Sequence, residues 1–330
     1  AGARGAFSAG VLASTSSITF TQSAGASGKI TMTNVSASGA VSLALGNGDG
    51  SGDVAVSIVN TESTFSLTGG AQYSDVTFDT INAASGITVN MAGSGSFTAS
   101  SLETGAALNF SKPIGSAETA VITNISAGSV AITMGAGSSH FSAVTIDAGG
   151  FTFDSTASTF EAVHTLDVIS ASGTVSISLG GNDGVAVSSL VVASAGASIT
   201  KGSSGSSDVT FAVGITADGA ITVTGGGSGT LSVSTIGTAG GFTFNGEAMG
   251  AGGASYFSAN TIAATSGDVT FQFGSGNHGF VDVSAIDTVS AFTLVGASLN
   301  SADIAIVHLS ATQGVSFSNM GGASGSAVIA

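Results

Sequence analysis

The chain is expected to be all-β, a parallel β-solenoid. Three observations point there: a repeat close to 23 residues long, strict alternation of apolar and small polar residues inside each repeat, and Gly, Ser, Asn and Asp clustered between the alternating stretches. A triplet of apolar, small hydroxyl and apolar residues starts at Ile18, Val41, Phe65, Ile87, Leu108, Val130, Phe151, Val175, Ala197, Ile221, Phe242, Val269, Phe292 and Val315, at intervals of 21 to 27 residues. About fourteen coils of roughly 23 residues are therefore expected. With no linker or composition shift, they are expected to form a single domain over residues 1–330.

Each triplet reads as one short side with a single buried face. Between triplets lies a second pattern, apolar-x-apolar-x-x-apolar, as in Ile30/Met32/Val35, Val54/Val56/Val59, Val76/Phe78/Ile81 and Phe257/Ala259/Ile262. The doubled spacer implies a bend, so each coil is expected to have three short sides. Corners such as Gly46-Asn47-Gly48-Asp49-Gly50 supply residues that tolerate tight turns. Two stretches break the rhythm and are expected to be loops: Phe160 to Ile169, where two registers compete around His164, and Phe244 to Tyr256. Repeats of about 23 residues favour stacked parallel sides over a hairpin barrel, which wants turns every 8 to 12 residues.

Composition agrees. Charged residues make up 7% of the chain, against about 25% in an ordinary domain, while 43% are apolar and mean hydropathy is +0.53, so the chain should fold and not stay disordered. The net charge of -15, with only Arg4, Lys29, Lys112 and Lys201 as fixed cations, repels a phosphate backbone and excludes nucleic acid as a partner. No apolar run approaches the roughly 20 residues that cross a bilayer, so no transmembrane segment is expected. The chain opens at Ala1 without a charged-then-apolar leader, and on composition an extracellular or cell-surface location is expected.

The recurrent Thr145-Ile146-Asp147-Ala148, Thr80-Ile81-Asn82-Ala83-Ala84-Ser85-Gly86 and Thr261-Ile262-Ala263-Ala264-Thr265-Ser266-Gly267 resemble the Gly/Ser/Thr-rich β-solenoid repeats of bacterial surface-layer proteins and large secreted adhesins. That resemblance implies export, self-assembly at the cell surface and often calcium. The Gly-Gly-x-Gly-x-Asp tandem of calcium-folded secreted toxins is missing.

The middle residues of the triplets form a polar ladder: Thr19, Ser42, Ser66, Thr88, Thr152, Ser176, Ser198, Thr222, Thr243, Thr270, Thr293 and Ser316, interrupted by Asn109 and Ala131. Such a face suits solvent, another flat face or ice. The mixed Ser, Asn, Asp and Val two residues further on weaken the ice reading. Asp49, Asp53 and Asp75 lie in or beside corners and are a candidate calcium site, because hard oxygen ligands in a turn suit that cation. No other cofactor is expected.

His140, His164, His278 and His308 have no partner at ligand or triad spacing along the chain, and the basic groups a polysaccharide lyase needs are scarce, so no enzyme activity is expected. A solenoid needs caps, and neither end offers one. Phe7 and Leu12 at one end, and Val328 and Ile329 at the other, are therefore expected to be assembly surfaces. The expected function is an extracellular structural protein that joins head to tail into a filament, sheath or surface layer. An adhesin segment that binds cell-surface glycans is the alternative, and an ice-binding protein the second.

Overall fold

The structure is a computed structural model and describes residues 6–22, 28–46, 53–70, 75–93, 95–115, 119–137, 140–158, 161–202, 208–248, 254–273, 278–296, 301–318 and 326–329. Every regular element among the described residues is a β-strand, and the strands described below pair in parallel. The protein is a parallel β-solenoid. Its chain divides into two compact units, Ala1–Ala157 and Ser158–Ala330.

The first unit holds β1 (Phe7–Ser14), β2 (Ile18–Thr21), β3 (Ile30–Ala37), β4 (Val41–Ala44), β5 (Val54–Thr61) and β6 (Thr64–Gly69). It continues with β7 (Val76–Ala83), β8 (Gly86–Met91), β9 (Phe97–Gly115), β10 (Thr119–Gly137), β11 (His140–Ala148) and β12 (Phe151–Asp154). Long strands stack in the order β1, β3, β5, β7, β9, β10, β11. Short strands stack alongside as β2, β4, β6, β8, the later parts of β9 and β10, and β12.

The second unit holds β13 (Val163–Ala171), β14 (Val175–Ser178), β15 (Gly184–Val192), β16 (Ala197–Thr200), β17 (Val209–Ala217), β18 (Ile221–Gly226), β19 (Gly229–Thr238) and β20 (Phe242–Ala248). It ends with β21 (Ala254–Ala264), β22 (Val269–Phe273), β23 (His278–Thr288), β24 (Ala291–Val295), β25 (Ser301–Ala311), β26 (Gly314–Ser318) and β27 (Ser326–Ile329). Odd-numbered strands again form one stack and even-numbered strands the other.

Each long strand supplies two sides of a coil. In β3 the residues Ile30, Met32, Val35 and Ala37 are buried, while Thr33 and Asn34 between them are not. Two successive outward residues are possible only where the pleat turns a corner, so the doubled spacer is the bend. In β17 this step carries an extra residue, and the register shifts between Phe211 and Ile215. Gly214 there has φ +148°, and a Cβ on it would stand 2.3 Å from the Thr235 carbonyl oxygen, so the bulge requires glycine.

Register places like residues in internal columns. Val35, Val59, Ile81, Leu102, Ile125 and Ile146 follow one another through the first unit, all fully buried. Burying each such side chain contributes about 1.5–3 kcal/mol. A file of rings runs beside them: Phe65, Phe78, Phe97, Phe110, Phe141 and Phe153, with successive centroids 5.4 to 6.1 Å apart. Volume is balanced within a coil, since Phe97 is followed two residues later by Ala99, Phe141 by Ala143 and Phe257 by Ala259, all inward and buried.

The two expected loops are corrected. Val163–Ala171 is strand β13 with His164 aligned on Val185, an inward position that the chain fills with a polar ring because an acceptor lies beside it. Within Phe244 to Tyr256, the residues up to Ala248 belong to β20 and those from Ala254 to β21, with a one-residue register shift between Thr224 and Gly226; residues 249–253 of the expected loop lie outside the described residues.

Candidate functional site

A groove of about 840 Å³ lies on the first unit, at the corner where each long strand hands over to the short one. Its floor consists of the inward residues that close the long strands: Ala37, Thr61, Ala83 and Thr104. One wall is the outward residue just before each of these. Register stacks Ala13, Ser36, Asn60, Asn82, Glu103 and Ser126 in that wall. Ser38, Glu62, Ala84 and Gly105 line the opposite wall.

The walls are held by hydrogen bonds. Asn82 Nδ2 donates to Asn60 Oδ1 over 3.0 Å, one coil below, and Ser101 Oγ donates to Glu103 Oε1 over 2.8 Å. The Thr61 hydroxyl donates to the Gly39 carbonyl over 2.6 Å and accepts from Ser63 N–H over 3.1 Å, which fixes the corner. Sequence reasoning missed this groove. The signal was a polar residue recurring one coil apart at Asn60, Asn82 and Glu103, on an outward face where the apolar pattern says nothing.

The polar ladder stacks in register. Thr19, Ser42, Ser66, Thr88, Asn109, Ala131 and Thr152 align through the first unit. Ser176, Ser198, Thr222, Thr243, Thr270, Thr293 and Ser316 align through the second. All are exposed or half-exposed.

Of the candidate calcium ligands, Asp49 lies outside the described residues, while Asp53 and Asp75 are exposed one coil apart. Asp75 Oδ1 accepts the Ser96 N–H over 3.0 Å, from the residue that occupies its own position on the next coil. The arrangement recurs where Asp208 accepts Thr230 N–H at 2.8 Å and Asp268 accepts Ala291 N–H at 3.0 Å. Each carboxylate satisfies an amide at the start of a strand, where the chain entering from a corner leaves it without a ladder partner, much as a side chain caps a helix. Bonds from the Ser290 hydroxyl and then the Ala291 amide hold the Asp268 carboxyl below the usual carboxylate range. Among the described residues no three His, Asp or Glu side chains gather where they could hold a metal ion.

The histidines need a correction. His164 Nε2 lies 3.6 Å from Asp183 Oδ2, both fully buried, and the Ser158 hydroxyl donates to Asp183 Oδ1 over 2.9 Å. On the exposed surface, His308 Nε2 is 3.8 Å from Asp287 Oδ1. Partners one coil away are remote along the chain yet adjacent in space, so spacing rules for local motifs could not find them. His164, Asp183 and Ser158 are all buried, which suits a polar lock in the core.

Of the three cations among the described residues, two are internal. Lys112 occupies the inward position aligned on Met134, and its Nζ donates to the Gly95 carbonyl over 2.7 Å. Lys201 Nζ donates to the Ser228 carbonyl over 2.7 Å; burial lowers its pKa to about 8, with Asp208 acting in the opposite direction. Both lysines bury their stems and spend their charge on corner carbonyls.

At the ends, β1 pairs only with β3 among the described strands, β26 only with β24 and β27 only with β25. Phe7 is 37% exposed and Leu12 half-buried, whereas Ile30 and Val35, aligned on them, are buried. Val328 is 61% exposed and Ile329 39%, beside exposed Val315 and Phe317. Among the described residues no helix is long and apolar enough to cross a membrane. No protein-family model, curated protein or solved structure matches this chain.

Proposed function

We propose that this chain is an extracellular structural protein whose open strand edges join head to tail, so that copies build a filament, sheath or surface layer. The observation that carries the reading is the pair of apolar edges. Phe7 and Leu12 at β1, and Val315, Phe317 and Ile329 at β26 and β27, are partly or largely exposed, whereas the residues aligned on them, Ile30, Val35, Phe292, Leu294 and Ile306, are buried. An uncovered strand edge presents both a row of N–H and C=O groups and a strip of core, and a second copy stacked in the same parallel register satisfies both. The scarcity of cations in the chain and the small polar ladder faces also suit a wall-like role.

Negative-stain microscopy of the purified chain, at rising concentration and with or without calcium, tests this. Long regular fibres or sheets are expected, and Phe317→Asp together with Ile329→Asp should reduce them to single particles while the circular dichroism spectrum is unchanged. Discrete monomers of the unaltered chain at every concentration would end the reading.

A further inference from the structure

We propose that the groove on the first unit binds an uncharged, linear polyhydroxyl chain, a neutral glycan lying along the stack of coils.

Shape sets the geometry of the ligand. The groove runs from Ala13 on β1 to Ser126 on β10, crossing successive coils, and at about 4.8 Å per coil it is on the order of 24 Å long. Its volume of about 840 Å³ lies in the range of built ligand sites. A chain that fits must be linear and must present similar chemistry at every step, because the groove does.

Chemistry sets the class. The walls offer amide, hydroxyl and carboxylate groups from Ser36, Asn60, Asn82, Glu103 and Glu62, over a floor of methyl groups from Ala37, Thr61, Ala83 and Thr104. Side chains of this kind donate to and accept from vicinal hydroxyls, and the methyl floor takes the C–H face of a sugar ring. No Lys, Arg or His lines the groove, so a polyanion would meet two glutamates and a chain of net charge -15 with nothing in return.

An extended peptide fits less well. Peptides dock on sheets by pairing with backbone groups at an edge. In this groove the N–H and C=O groups of β3, β5 and β7 already point along the stack into coil-to-coil pairing, which leaves only side chains as partners. A glycan needs nothing more than those side chains.

Affinity electrophoresis of the full chain through gels carrying hydroxyethylcellulose, galactomannan or polygalacturonate, with titration of a lysine-rich peptide alongside, tests the proposal. At least one neutral polymer should retard the protein while polygalacturonate does not. Asn60→Ala with Asn82→Ala should weaken that retardation about tenfold with the strand circular dichroism spectrum retained, because two half-buried hydrogen-bonding groups that line the groove are lost. Ala84→Trp, which fills the groove from the opposite wall, should abolish it. The proposal is overturned if no neutral polymer retards the chain, if retardation survives both variants, or if the asparagines govern peptide or polygalacturonate binding instead. Because fibres are read by microscopy and retardation by electrophoresis, failure of one reading leaves the other standing.

Discussion

The two units are built on one repeat yet differ at the same corner. In the first, the outward residue before the corner is Ser36, Asn60, Asn82, Glu103 or Ser126, and a groove results. In the second, the aligned positions carry Ser170, Val191, Thr216, Gly237, Ala263 and Asp287, with smaller or mixed side chains. Their interiors differ too. A file of phenylalanine rings fills the first unit, whereas among the described residues the early coils of the second are aliphatic around Phe211 and hold a buried His164–Asp183 pair and Lys201. Inward columns thus accept many fillings of suitable volume, and chemical individuality collects on outward columns and at inward polar exceptions.

The sharpest way to break this comparison is to remove an interior ring. Phe97→Ala deletes a fully buried side chain whose ring centroid lies 6.0 Å from that of Phe78 and 5.4 Å from that of Phe110, and should cost about 4 kcal/mol in urea unfolding. Val209→Ala, at an aligned inward position of the second unit, should cost about 2 kcal/mol. Equal losses would mean that the ring file adds nothing beyond ordinary burial.

Next in size is the polar lock. Asp183→Ala removes the acceptor of the Ser158 hydroxyl and the buried carboxylate 3.6 Å from His164 Nε2, and should destabilise by about 3 kcal/mol, while Asp287→Ala beside exposed His308 should change the midpoint very little. Similar effects at the two sites would show that burial does not separate them.

Smallest is the pH response of Lys201. Below about pH 8 the ammonium is charged in folded and unfolded chains alike, and its burial counts fully against folding. Between about 8 and 10.5 the unfolded chain still holds the proton that the folded chain has released, so stability rises with pH. The difference in unfolding midpoint between the unaltered chain and Lys201→Met should therefore drift in favour of the unaltered chain across that window. A flat difference would contradict the internal placement.

The architecture was legible because inward residues are constrained twice, by alternation along the strand and by stacking across coils. Ile30, Met32 and Val35 announce a bent side on their own, and the aligned Val54, Val56 and Val59 repeat the message. His164 defeated the reading because it occupies an inward position with a residue that the apolar pattern does not count. Asp183 lies 19 positions along the chain and touches it only through stacking. The groove was hidden for a different reason. Outward residues such as Asn60 obey no periodic rule, so their alignment acquires meaning only once the register is known.

One feature of the coil bears on engineering. From the first inward residue of a long strand to that of its short strand the distance hardly changes, as in Ile30 to Val41 and Phe97 to Leu108. From the short strand to the next long one it ranges from ten residues, Ile87 to Phe97, to fifteen, Phe242 to Phe257, with the parallel pairing kept on either side. That connection varies in length while the pairing on either side is kept, and the entropy of closing a longer connection grows only slowly with its length. It is the natural graft point for an epitope or enzyme tag, which the scaffold would then display at a spacing set by the coils.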